Sequence, residues 1–142
     1  MSSVNQISVF VENRPGTLNA MTKILADANI DLRAFSLAET TDFGIARMIV
    51  DDVYDAQNVL KDNGYVSSLT PVLAVKVPDV PGGLNSVLSG FTENDINVEY
   101  MYGFRGKDPK SAYMIFRISD VKAGAAALKS KGVKVLQEEE LI

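Results

Sequence analysis

The stretch Val11-Glu12-Asn13-Arg14-Pro15-Gly16-Thr17-Leu18 decides the fold, because the chain repeats it sixty-six residues later as Val77-Pro78-Asp79-Val80-Pro81-Gly82-Gly83-Leu84. Each copy follows an apolar run with strand-like alternation and precedes a pattern of helical period. Each therefore reads as a tight Pro-Gly passage from a strand end into a helix N-terminus. An offset of 66 superposes Pro15 on Pro81, Gly16 on Gly82, Leu18 on Leu84, Asn19 on Asn85 and Ile30 on Ile96. Farther along the offset becomes 68, superposing Asp52 on Asp120, Val53 on Val121, Leu60 on Leu128, Lys61 on Lys129 and Gly64 on Gly132. The two-residue difference falls in the loop Gly106-Lys107-Asp108-Pro109, where insertions cost little. An internal duplication explains the pattern.

Around the first copy the local periods are clear. Residues 4–11 alternate, with Ile7, Val9 and Val11 on one face and Gln6, Ser8, Phe10 and Glu12 on the other, as a half-buried strand should. After the turn, Leu18, Met21, Ile24, Leu25 and Ala28 recur at helical spacing. Ile30 to Glu39 and Phe43 to Val50 are β-rich runs, and Thr40-Thr41-Asp42 between them makes a hairpin. Residues 53–63 carry Ala56, Val59 and Leu60 on one side, begin at or are capped by Asp51-Asp52, and stop at Gly64. Tyr65 to Thr70 is a last short strand.

The order strand, helix, strand, strand, helix, strand predicts an α+β fold of ferredoxin-like type, an antiparallel sheet with helices on one face. Beyond Pro71 the order recurs: strand 72–77, helix 81–94, strands 96–105 and 111–119, helix 121–131, and a strand from Val133. Two domains are expected, 1–70 and 71–142, joined without a long linker at Thr70-Pro71-Val72. The sheet runs are apolar on both faces: Phe43, Ile45 and Ile49 alternate with Met48 and Val50, and Tyr113 and Ile115 with Met114, Phe116 and Ile118. Helices cover only one face, so the other is expected to pack against a second sheet or chain, and a homodimer is expected.

Composition narrows the function classes. Hydrophobic residues at 46% and charged residues at 23% of the 142 are values for a soluble globular protein. A net charge of -4 without a Lys/Arg cluster argues against nucleic acid. No apolar run approaches the roughly 20 residues that span a bilayer, and no signal-like segment opens the chain, so no membrane partner and a cytoplasmic location are expected. With no Cys and no His, the chain lacks disulfides, a thiolate nucleophile, and the commonest general base and metal ligand. No cofactor, no metal and no catalytic residues are expected; Glu138, Glu139 and Glu140 read as a solvated run.

The repeated turn carries the remaining chemistry. The first N–H groups of a helix have no intrahelical acceptor and sit at the positive end of its dipole, which suits a carboxylate. Glycine at 16 and 82 allows close approach to the backbone, and Asn13 and Asp79 can offer a side-chain oxygen to an ammonium group. A carboxylate beside an ammonium is what a free amino acid presents. The same turn also serves as a plain helix start, with proline at the first position and Asn or Asp as cap, so the residues alone leave both uses open. Glu99, Tyr100, Met101, Tyr102 and Phe104 likewise either line a pocket or pack the sheet.

Glu12-Asn13-Arg14-Pro15-Gly16 with Leu18, a helix, and then Asn29-Ile30-Asp31-Leu32 resembles the ACT domain, a small-molecule sensor attached to many amino-acid biosynthetic enzymes. The likeness is greatest to the serine-sensing ACT domain of phosphoglycerate dehydrogenase. The second copy, Asp79-Val80-Pro81-Gly82-Gly83-Leu84 with Asn94-Asp95-Ile96-Asn97-Val98, resembles the same family, so nearly the whole chain looks like a stand-alone tandem ACT protein. The resemblance implies a non-catalytic, allosteric sensor that binds a free amino acid between ACT units and acts on a separate enzyme of amino-acid metabolism. It implies ligand contacts from Asn13, Arg14 and Asp79 at the turns, backbone N–H groups of Gly16, Thr17, Leu18, Gly82, Gly83 and Leu84, and Asp31 and Asn97 at the second strands of neighbouring units. Val11 and Val77 stand where the dehydrogenase relative has a histidine that helps hold serine, which points toward a larger or more apolar amino acid. Two alternatives are a regulatory subunit like that of acetolactate synthase and a structural interaction module without ligand.

Overall fold

The computed structural model describes residues 3–141. In chain order the elements are β1 (Val4–Glu12), α1 (Thr17–Asp27), β2 (Leu32–Glu39), β3 (Phe43–Val50), α2 (Val53–Asp62), β4 (Ser67–Pro78), α3 (Gly83–Thr92), β5 (Val98–Phe104), β6 (Ser111–Ile118), α4 (Val121–Ser130), β7 (Lys134–Leu136) and a 3-10 turn at Glu138–Glu140. The chain divides into two compact units, Asn5–Thr70 and the residues from Pro71 onward together with Val4. Each is a ferredoxin-like βαββαβ unit.

In the N-terminal unit β1 pairs antiparallel with β3, and β3 antiparallel with β2. The start of β4 lies along β1, and just before it the Val66 carbonyl accepts from the Phe10 N–H (3.5 Å). Register puts Ile7, Val9 and Val11 beside Met48, Ala46 and Gly44. This face packs against Met21 and Leu25 of α1 and Ala56 and Leu60 of α2 to form one core. The C-terminal unit repeats the layout, with the second half of β4 flanked by β6 and β7 and with β5 outside β6. There Val75, Val77, Phe116 and Ile118 meet Val87, Phe91, Ala125 and Leu128. Phe91 and Phe116 stack edge to face at 5.3 Å.

The second helix of each unit starts at a capping carboxylate. Asp52 accepts from the Asp55 N–H and Asp120 from the Ala123 N–H, both at 3.0 Å. Such caps contribute roughly 1 kcal/mol each.

Three expectations need correction. The strands expected to end at Thr70 and restart at Val72 are the single strand β4, which runs through Pro71. Proline removes one donor but keeps its acceptor, and the Pro71 carbonyl is used by Arg117 Nη1 at 3.1 Å. Gln6, placed by alternation on the solvent face, is fully buried, and its Nε2 donates to Ser8 Oγ at 3.2 Å. A buried amide is tolerated when hydrogen-bonded. Finally, β2 and β5 begin two residues late, because Asn29 and Asp95 take left-handed conformations (φ 58° and 55°) that turn Ile30 and Ile96 into the cores.

Candidate functional site

The two Pro-Gly turns carry β1 into α1 and β4 into α3. Gly16 and Gly82 occupy the helix N-cap positions at φ 85° and 81°, so glycine is needed there for its left-handed backbone as well as for space. Neither helix start has a side-chain cap. The capping use open to Asn13 and Asp79 is therefore not taken. Asn13 instead donates from Nδ2 to the Thr40 carbonyl (3.0 Å), and its N–H donates to the Asp42 carbonyl (2.9 Å), tying the turn to the β2–β3 loop. This leaves the Oδ1 arm as an acceptor. Asp79 is exposed.

Of the N–H groups expected to face a ligand, two are already used. The Thr17 N–H donates to the Arg14 carbonyl (3.3 Å) and the Gly83 N–H to the Val80 carbonyl (3.0 Å). In α1 the Ala20 N–H closes on the Gly16 carbonyl at 2.9 Å, so the donors left without an intrahelical acceptor are those of Leu18 and Asn19. The Leu18 side chain meanwhile packs against the core. Arg14 Nε lies 2.5 Å from Glu12 Oε2, and both side chains are more than half exposed. The Thr17 hydroxyl donates to the Glu12 and Arg14 carbonyls.

A depression of about 630 Å³ opens at this first turn. Arg14, Pro15, Gly16 and Thr17 line it together with Phe10, Phe43, Tyr65 and Val66. The aromatic and valine wall was not among the expected site residues. One signal for it exists in the sequence: Phe10 sits in the polar phase of an alternating strand, where a large apolar side chain has no core to enter.

Asp31 and Asn97 are not brought to the turns of their own units. Asp31 lies where β2 begins, its N–H bonded to Asp51 Oδ1 (3.0 Å) and its carboxylate 3.2 Å from Arg33 Nε. The register of β3 puts Asp51 eight residues from Phe43 at the turn end, or about 25 Å at roughly 3.3 Å per residue. Asn97 is held in the same way at the far end of its unit, its N–H on Ser119 Oγ at 3.0 Å.

The surroundings of the second turn differ. The loop 106–109, where the two-residue insertion falls, is tied down: the Asp108 N–H donates to the Tyr113 hydroxyl (3.0 Å), and a Cβ on Gly106 would lie 2.2 Å from the Tyr113 ring. The Asp108 carboxylate accepts from the Lys110 N–H, from Ser111 Oγ, and from Lys76 Nζ, each at 3.0 Å. These bonds, the backbone one foremost, hold its carboxyl below the ordinary aspartate range. The same pair holds the Lys76 ammonium above the ordinary lysine value. Lys134 lies 3.2 Å from Glu140, whose carboxyl is lowered first by the Gln137 N–H and then by Lys134. Among the residues Glu99 to Phe104, Tyr102 is buried, Met101 packs on the core and the Phe104 ring lies 5.4 Å from that of Tyr113, so these three side chains pack. Among the described residues no group of three or more His, Cys, Asp and Glu is placed to hold a metal ion, and no helix is long and apolar enough to cross a membrane.

Comparison with known proteins places this architecture. No curated protein sequence matches significantly. Among solved structures, protein BT0572 from Bacteroides thetaiotaomicron is 37% identical, with a TM-score of 0.92 over 99% of this chain and 96% of that one. The ligand-free regulatory subunit of aspartate kinase from Thermus thermophilus matches at a TM-score of 0.66 and 15% identity, over 89% of this chain and 91% of that one. The corresponding subunit from Thermus flavus matches at 0.62 and 13%, over 89% and 90%. At such identities these two share the fold alone. The family described as an ACT domain pair matches residues 2–142, and with its duplicated Pro-Gly turn and paired βαββαβ units the chain belongs to that family.

Proposed function

We propose that this ACT domain pair, with domains 1–70 and 71–142, is a non-catalytic cytoplasmic sensor that binds a free amino acid and regulates an enzyme of amino-acid metabolism on another chain. The observation that carries the reading is the 630 Å³ depression at the first turn, a size usual for small-ligand sites. Arg14 lines it, and so does Thr17, the first residue of the helix whose positive dipole end begins here, a combination suited to a carboxylate. Glu12 and Asn13 Oδ1 offer acceptors to an ammonium group. The resemblance assigns the rest of the pocket, including Asp31 and Asn97, to a neighbouring ACT unit, and a homodimer supplies such neighbours. Two proteins of the same fold are described as regulatory subunits of aspartate kinase, and that role is the pattern proposed here. Ligand-dependent coupling to the partner enzyme is expected at about 1–3 kcal/mol.

A thermal-shift screen with the twenty amino acids tests the proposal. A ligand at a hundred times its Kd adds about 2.7 kcal/mol. For a chain of this length that is a rise of roughly 9 °C in Tm. Absence of any shift at millimolar concentration would overturn the sensor reading.

A further inference from the structure

We propose, resting on the sensor reading, that the two turn sites have diverged. The N-terminal site selects an amino acid with a large apolar side chain, through the wall of Phe10, Phe43 and Val66. The C-terminal turn, whose matching positions are occupied by its own ion pairs, takes no ligand.

Equivalent positions follow from sheet register. Phe10 faces Ile45 and Glu12 faces Phe43 in the first unit; Lys76 faces Tyr113 and Pro78 faces Ser111 in the second. Val66 accepts from Phe10, and Lys134 is paired with Lys76. Phe10, Phe43, Ile45 and Val66 thus correspond to Lys76, Ser111, Tyr113 and Lys134.

In the first unit this patch is left open: Phe10 is 53%, Phe43 50% and Val66 71% exposed. Three large apolar side chains on the helix-free sheet face, converging on one depression, carry an unfavourable exposure that a bound apolar group would relieve. Arg14 and the first residues of the turn, Pro15, Gly16 and Thr17, line the same depression, so a ligand that meets both kinds of lining is charged at one end and apolar at the other. An α-amino acid with a long aliphatic or aromatic side chain has that form, and serine does not.

At the four matching positions of the second unit no apolar side chain is exposed: Lys76, Ser111 and Lys134 are polar and Tyr113 is buried. Lys76 is held by Asp108 and Lys134 by Glu140, while the two-residue insertion lies on the Tyr113 ring. Arg14 is replaced by Val80, which removes the cation. An apolar side chain placed here would displace two ion pairs and bury lysines.

Isothermal titration of the full chain with L-phenylalanine, L-leucine, L-serine and L-aspartate tests the proposal. The expected result is one ligand per chain, with phenylalanine or leucine bound at least tenfold more tightly than serine or aspartate. Phe10→Ser and Phe43→Ser should each weaken that binding at least tenfold without altering the unfolding midpoint of the free protein, whereas Lys76→Ser should leave it unchanged. Tighter binding of serine or aspartate, two ligands per chain, or unaltered affinity in both phenylalanine variants would overturn the divergence while leaving the sensor reading in place. Binding of none of the twenty amino acids would overturn both.

Discussion

The two Pro-Gly turns have the same backbone and differ in how closely the chain returns on itself. Gly16 and Gly82 share a left-handed conformation, and the next residue donates to the carbonyl three positions back in both. At that next residue they part. Thr17 has room for a Cβ, and its hydroxyl bridges the Glu12 and Arg14 carbonyls. Gly83 is buried, and a Cβ there would lie 2.1 Å from the Pro78 carbonyl oxygen. The Pro-Gly dipeptide therefore sets the turn, while the residue after it sets its width: the first turn stays open beside a depression and the second closes onto its own strand.

The comparison breaks most visibly at Gly83. Gly83→Thr, which restores the first-turn residue, should cost about 3 kcal/mol or more, because the clash is with backbone and cannot be relieved by a side-chain rotation. A urea midpoint close to that of the wild type would mean that the two turns are equally wide. Next come Gly16→Ala and Gly82→Ala. Neither added Cβ meets an atom within 4 Å, so each should cost only the left-handed penalty of about 1–2 kcal/mol, and by equal amounts. Unequal losses would show that the two corners carry different loads.

Thr17→Ala should lose about 1 kcal/mol with the hydroxyl bridge, and Thr17→Ser should recover most of it. If serine fails to rescue, the threonine acts by packing and not through its hydroxyl.

The smallest effect is one of pH and belongs to the second unit alone. Asp108 is depressed when folded, so its contribution is present above the ordinary aspartate pKa and is lost as pH falls through the folded value. Lys76 is raised, so its contribution is full below the ordinary lysine pKa and is lost as pH rises through the folded value. The pair thus stabilises between about pH 4 and pH 10. Asp108→Asn should flatten both limbs of the urea-midpoint profile; superimposable profiles for variant and wild type would remove the pair from the account. Both side chains are more than a third exposed, so solvent screening keeps the change modest.

Local features of the fold were legible because they repeat at short range. The alternation of Ile7, Val9 and Val11, the helical spacing of Met21 and Leu25, and the caps at Asp52 and Asp120 each depend on neighbours within a few residues. The site was less legible. Its apolar wall draws Phe10, Phe43 and Val66 from three separate segments, and only strand register brings them together. Gln6 escaped for a related reason, since alternation assigns a face but says nothing about what covers it. The anchoring of the loop at 106–109 was not legible because its anchors, Lys76 and Tyr113, lie on two different strands.

The sequence by itself determined the duplication, the order of elements and the Pro-Gly turn, since backbone preference and hydrophobic period are properties of consecutive residues. Only the tertiary structure decided that the two turns are unequal surroundings for the same backbone. Whether Phe10 faces an open depression, or its counterpart Lys76 meets Asp108, depends on residues that are remote in the chain and adjacent in the sheet. Packing and Coulomb energies act on distance in space, and the order of residues along the chain does not encode that distance.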